Sequence, residues 1–236
     1  MGMSLWSDIA EDIRTVRRND PALHSGLELL FNYPGLWALL FYRISHTLYE
    51  KGLRFLPRLI SAIAQFLTTV DIHPAAKLGK GVFIDHATGV VIGETAIVGD
   101  NVLIYQQVTL GGVSLSSGKR HPTVEDNVII GAGAKVLGNI TIGRDAKIGA
   151  NSVVIKDVPP GCTAVGVPAK ATKRIDGKAP LSHNIIPDID RKLFEYLIRR
   201  IAVLEHTIKS GDLETMEKKD SELDEIYESF IKAMQS

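Results

Sequence analysis

From Ile72 to Val154 an aliphatic residue recurs every six positions, in three runs: Ile72, Leu78, Ile84; Ile92, Val98, Ile104, Leu110; and Val124, Ile130, Val136, Ile142, Ile148, Val154. A period of six matches neither the 3.6 of a helix nor the 2 of a half-buried sheet, which excludes ordinary versions of both. Short strands joined by tight corners do fit. Three hexapeptides close one triangular coil with the aliphatic residue on the axis, and successive coils stack at strand spacing. Small residues such as Gly131, Ala132, Gly133 and Ala134 allow the corners. The stretch 72–170 then makes about five coils.

Composition changes with the architecture: residues 72–170 hold 15 of the 21 glycines but only two of the 15 aromatics, Phe83 and Tyr105. Before them, Leu5–Arg18, Gly26–Lys51 and Leu53–Thr69 read as helices, with Pro34 and Pro57 near turn starts. After Gly166-Val167-Pro168-Ala169, a loop to Pro187 leads to a helix with Leu193, Leu197, Ile201, Leu204 and Ile208 on one face. A second helix follows Gly211-Asp212, with Leu223, Ile226, Phe230 and Met234. The expected organisation is a helical cap over 1–70, a β-prism over 71–170 and a loop with a helical extension over 171–236.

Lys+Arg and Asp+Glu both number 27, so there is no basic excess to neutralise a nucleic-acid backbone. Cys162 is the single cysteine, which excludes an internal disulfide and fits a reducing compartment, read here as the cytoplasm. Leu27–Ile44 and Leu53–Val70 are apolar, but Glu28, Arg43, Arg54 and Arg58 interrupt them, so no membrane span is expected. Met1–Arg18 lacks the apolar core of a signal peptide, and the chain is expected to be full length. Gly131-Ala132-Gly133 opens like a dinucleotide fingerprint but lacks the third glycine and the helix. Asn139-Ile140-Thr141 has no meaning as a glycosylation site in that compartment. His86 and His121 fall short of the three imidazoles a catalytic zinc needs, so no metal is expected.

A solenoid tolerates insertions only where they loop out of the stack. Two extra residues fall around Asp85-His86-Ala87-Thr88-Gly89, and eight fall between Leu110 and Val124, in a loop ending Arg120-His121-Pro122. Both breaks carry histidine. A histidine flanked by carboxylates suits a general base, because a carboxylate on one ring nitrogen fixes the tautomer and leaves the other free to take a proton. Asp71, at the cap-to-prism junction, and Glu94 are further candidates.

Several runs together resemble the serine O-acetyltransferase family: Val70-Asp71-Ile72-His73-Pro74-Ala75-Ala76, Asp85-His86-Ala87-Thr88-Gly89, Gly93-Glu94-Thr95, Gln107-Val108-Thr109-Leu110-Gly111-Gly112, Arg120-His121-Pro122, Gly131 to Ile140 and Gly166-Val167-Pro168-Ala169. Arg17-Arg18-Asn19-Asp20-Pro21-Ala22 resembles the family's motif before its last cap helices. The resemblance spans about residues 15–172. It implies a left-handed parallel β-helix in a trimer with active sites between neighbouring prisms. It implies His86 as the catalytic base with Asp71 as its supporting carboxylate, and Asp20, Asp85, Arg120 and His121 as serine-binding residues. Acetyl-CoA, a co-substrate rather than a resident cofactor, is expected along the inter-prism groove by Gly112, Ala132 and Ala150, with Lys147 and Lys170 available to its phosphates.

The family's feedback regulation implies L-cysteine as inhibitor. Many members carry a longer amino-terminal segment that pairs two trimers; about twenty residues precede Asp20 here, so a trimer is expected. Many also end in an isoleucine that enters O-acetylserine sulfhydrylase. This chain ends Met234-Gln235-Ser236, so that complex is not expected. The rival readings are an acetyltransferase for a sugar or antibiotic hydroxyl, which has no use for Asp20, Asp85 and Arg120 together, and a scaffolding β-helix, which needs none of the polar loop residues.

Overall fold

The computed structural model describes residues 5–172 and 189–210. These fall in two units, divided between Ile185 and Ile186.

Three sheets of very short strands run the length of a left-handed β-helix. The first stacks β1 (Asp71–Ile72), β4 (Val91–Ile92), β7 (Thr109–Gly111), β10 (Lys135–Leu137) and β13 (Val153–Val154). The second stacks β2 (Lys77–Leu78), β5 (Ile97–Val98), β8 (Thr123–Val124) and β11 (Thr141–Ile142). The third stacks β3 (Phe83–Ile84), β6 (Leu103–Ile104), β9 (Ile129–Ile130), β12 (Lys147–Ile148) and β14 (Thr163–Gly166). The five strands of the first sheet correspond to five coils, and its register aligns Ile72, Ile92, Leu110, Val136 and Val154. All the aliphatic residues of the six-residue repeat are buried. Burial of each such side chain is worth about 1.5–3 kcal/mol, and the stacked rows are the core.

A second inward row lies two residues before the first: Val90, Ala96, Val102, Val108, Val128 and Ala146 are each at most 1% exposed. Ala134, expected at a corner, belongs to this row. The corner from the second sheet to the third needs a left-handed residue in each coil. Gly81, Asn101, Asn127, Asp145 and Gly161 supply it, with φ between 55° and 69°. Asparagine and aspartate tolerate that conformation because their short polar side chains bond locally. Asn127 Nδ2 donates to Asp145 Oδ1 of the next coil at 3.1 Å.

The helices are α1 (Leu5–Asn19), α2 (Glu28–Phe31), α3 (Pro34–Glu50) and α4 (Phe55–Thr68). The single helix expected over Gly26–Lys51 is thus broken. Tyr33 precedes a proline, whose ring disfavours helical geometry there, and takes φ −120°, ψ 72°. On α3, the Tyr42 hydroxyl donates to Ala76 O at 2.7 Å and accepts from Leu78 N at 3.1 Å. Arg43 binds the buried Asp12 of α1 and the carbonyls of Leu78 and Gly79. Burial raises the Asp12 carboxyl pKa although Arg43 opposes it. Removing one partner of such a pair typically costs 3–5 kcal/mol on the order of magnitude, since a buried charge is left alone.

The loop expected after Ala169 starts instead as a strand: β15 (Ala169–Thr172) pairs antiparallel with β14 through a turn at Val167-Pro168. The rest of that loop and the helix after Gly211 lie outside the described residues. In the second unit α5 (Ile189–Ser210) is the helix expected after Pro187. Among the described residues no helix is long and apolar enough to cross a membrane.

Candidate active site

Two edges of the prism hold the polar residues. At the first edge, where the third sheet turns into the first, successive coils place Asp85-His86-Ala87-Thr88-Gly89, Tyr105-Gln106-Gln107, Gly131-Ala132-Gly133 and Gly149-Ala150-Asn151. At the second edge, where the first sheet turns into the second, they place His73, then Gly93-Glu94-Thr95, then the loop from Gly112 to Pro122.

The two-residue insertion at the first edge is absorbed by left-handed backbone. His86 and Ala87 have φ 57° and 58°, and two successive tight turns form, Ala87 N to Asp85 O at 2.7 Å and Thr88 N to His86 O at 2.6 Å. Such conformations cost about 1–3 kcal/mol each in non-glycine residues and persist where the surroundings over-determine them. The burial of Ala87 inside the prism anchors this one. Its result is to turn His86 outward: the residue is exposed, and its ring has no hydrogen-bond partner among the described residues.

Asp20 continues the last turn of α1, its N–H donating to Val16 O. Asp20 Oδ1 accepts from Ala22 N at 2.8 Å and Oδ2 from the Tyr33 hydroxyl at 2.7 Å. Burial, then Asp20, Glu28 and Asp85, push the Tyr33 hydroxyl up to about 12. Burial and Asp85 also raise Tyr105. Asp20 and Asp85 thus both act on Tyr33, and Asp85 acts on Tyr105 as well.

The second edge is tightly bonded. Arg120 Nη2 meets Glu94 Oε2 at 2.5 Å, while Arg120 Nη1 is buried with no partner. The guanidinium bond, ahead of the opposing effect of burial, lowers the Glu94 pKa. His121 is 8% exposed, and its Nδ1 lies 3.2 Å from Thr95 N and 2.9 Å from Thr95 Oγ1. Burial, then Arg120, lowers its pKa. Its ring lies so close to Gly93 that a Cβ there would sit 2.1 Å from Nε2, so only glycine fits. Lys119 Nζ closes the loop, donating to Thr95 O at 2.8 Å and His121 O at 2.5 Å.

The structure thus places Asp85 and His86 on one edge, with Ala132 and Ala150 in later coils, and relates Asp20 to Asp85 through Tyr33. Arg120, His121 and Gly112 lie on the other edge, at the opposite ends of the first sheet's strands. Asp71 starts β1 in that sheet; it acts on His73 and makes no hydrogen bond to His86. Lys147 is on β12 and Lys170 on β15, both in the third sheet. Sequence reasoning assigned no role to Tyr33, Tyr105, Thr95 or Lys119. Thr95 was findable: the repeat aligns Ile92 with Leu110, which sets Gly93-Glu94-Thr95 against the start of the inserted loop. Tyr33 carried no such signal. No group of three or more metal-ligating side chains forms among the described residues.

Residues 121–156 match the bacterial transferase hexapeptide family (six repeats). A serine acetyltransferase of Synechococcus elongatus is 50% identical over 215 residues, covering 91% of this chain and 88% of that one. The structure of soybean serine acetyltransferase complexed with serine is 50% identical with TM-score 0.69, covering 71% of this chain and 69% of that chain. A serine acetyltransferase in complex with cysteine is 44% identical with TM-score 0.72, covering 77% and 70%.

Proposed function

We infer the reaction from one premise, that this chain belongs to the serine acetyltransferase family. It is an enzyme that moves the acetyl group of acetyl-CoA to the hydroxyl of L-serine, giving O-acetyl-L-serine and CoA in cysteine synthesis from serine. In the residue assignment we propose, His86 accepts the hydroxyl proton while the serine oxygen attacks the thioester carbon. The tetrahedral intermediate collapses, the carbon–sulfur bond breaks, and the imidazolium returns its proton to the departing thiolate. General-base help of this kind contributes roughly 10²–10⁴ in rate. The family resemblance assigns Asp71 as the positioning carboxylate of His86, through a hydrogen bond that the described residues do not make on their own.

The observation that carries the assignment is the layout of charge. An amino acid offers an ammonium and a carboxylate; Asp20 and Asp85 suit the first, and the unpartnered Nη1 of Arg120 suits the second. His121 adds a hydrogen bond beside Arg120. Because the two edges lie at opposite ends of the same strands, the reading sets the first edge of one prism against the second edge of its neighbour. Head-to-tail contacts of this kind can close into a ring, and the family resemblance sets that ring at three prisms, a homotrimer. Acetyl-CoA lies along that groove by Gly112, Ala132 and Ala150, with Lys147 and Lys170 toward its phosphates. L-Cysteine retains both charges of serine and competes for the site; a related enzyme has been captured with it. The enzyme is placed in the cytoplasm, and Cys162 fits a reducing compartment.

Thiol release from acetyl-CoA tests the reading with serine, homoserine, a galactoside and chloramphenicol as acceptors. Serine should be strongly preferred, and millimolar cysteine should raise the apparent KM for serine. Turnover of the galactoside or chloramphenicol in preference to serine overturns it.

A further inference from the structure

The hydrogen bonds around His121 define the state of its ring. A backbone N–H can only donate, so the Thr95 amide makes Nδ1 an acceptor. The Thr95 hydroxyl accepts from Arg120 N at 3.0 Å and from His121 N at 3.1 Å, which uses both its lone pairs. Its own proton is left for Nδ1, 2.9 Å away. With Nδ1 receiving two donors, the ring proton belongs on Nε2, which lies against Gly93 and Gly112 beside Arg120.

We propose that Thr95 is a positioning residue for serine: its hydroxyl locks His121 as the Nε2–H tautomer and ties Arg120 to the same corner, so that His121 serves as a neutral donor to substrate and not as a second base. The proposal rests on the serine-site reading above. The ring is faced by Arg120 and Lys119 from its own loop, by Glu94 and Thr95 from the corner after β4, and by His73 from the corner after β1. Both cations and the burial of the ring act in the same direction as the bonds at Nδ1, against a second proton. Glu94 acts the other way, but Arg120 is bonded to it.

The test is ¹⁵N NMR of the histidine rings in the full-length enzyme, with serine kinetics on Thr95→Val and Thr95→Ser. Wild type should show the Nε2–H signature for His121. Thr95→Val removes a donor to Nδ1, so the His121 midpoint should rise and the serine KM should increase about tenfold, the loss of roughly one charge-assisted hydrogen bond's worth of positioning. Thr95→Ser should restore both. An Nδ1–H signature in wild type, or a Thr95→Val enzyme with unchanged midpoint and serine KM, overturns the proposal. Failure of the serine-site reading looks different: there Arg120→Ala and His121→Ala would themselves leave the serine KM unchanged.

Discussion

His86 and His121 sit at the two ends of the same sheet's strands and are treated in opposite ways. His86 stands on strained left-handed backbone, exposed, its ring without a hydrogen-bond partner among the described residues. His121 is buried, with Nδ1 bonded twice by Thr95. A base needs a free nitrogen lone pair that a substrate proton can reach; a binding donor needs a fixed proton and a fixed position. The two edges meet these two demands separately, and a subunit that kept both on one edge would have to satisfy them with one corner geometry.

The largest expected effect comes from removing the free imidazole. His86→Ala should lower kcat by at least ~10² with the KM for acetyl-CoA nearly unchanged, since proton transfer is lost and the groove is not. Steady-state kinetics decide it, and near-normal turnover would erase the distinction between the edges. Next in size is Arg120→Ala, which should raise the serine KM by roughly tenfold to a hundredfold, the worth of a charged hydrogen bond. Arg120→Lys should rescue poorly, because a point charge cannot hold Glu94 and a substrate carboxylate with one planar fork.

A mixture of these two variants tests whether the edges of neighbouring subunits complete one another. Neither alone has an intact site. Refolded together at equal amounts, about a quarter of head-to-tail junctions should pair an intact first edge with an intact second edge. With serine held well below the raised KM, activity should recover to about that fraction of wild type, while each unmixed variant stays well under it. No recovery would mean that a single chain supplies both edges.

The repeat made the prism legible because each coil repeats one local rule: an aliphatic side chain on the axis every sixth residue, buried in every instance from Ile72 to Val154. The register breaks marked His86, Arg120 and His121 for the same reason, since an insertion can leave the stack only at an edge. What was not legible is set by contacts across sequence with no repeat to carry them. Tyr33 bonds Asp20 across 13 positions, through the break between α2 and α3 that Pro34 imposes. Glu94 and Arg120 meet across 26, with eight inserted residues obscuring the alignment of their coils. The hairpin β14–β15 was missed because Ala169–Thr172 departs from the six-residue rule just where the parallel stack ends.

The smallest effect is on stability, and it separates the second edge from the first by pH. Burial lowers the pKa of both His73 and His121 below their ordinary 6.5 in the folded chain. As pH falls through 6.5 the unfolded chain takes up a proton at each while the folded chain does not, so stability falls with acid, levelling once the folded values are passed. Each group contributes at most about 1.4 kcal/mol per pH unit in that window. Glu94, lowered by Arg120, loses its contribution only further down, as pH falls below the ordinary carboxylate range. Buried Asp12 titrates in every variant and cancels in a comparison. Urea denaturation at about pH 7.5 and 5.5 should therefore show a smaller loss for a His73→Gln, His121→Gln double variant than for wild type. Equal losses would mean that His121 is protonated in the folded enzyme at mildly acidic pH, and the second edge would then be a titrating site like any exposed imidazole.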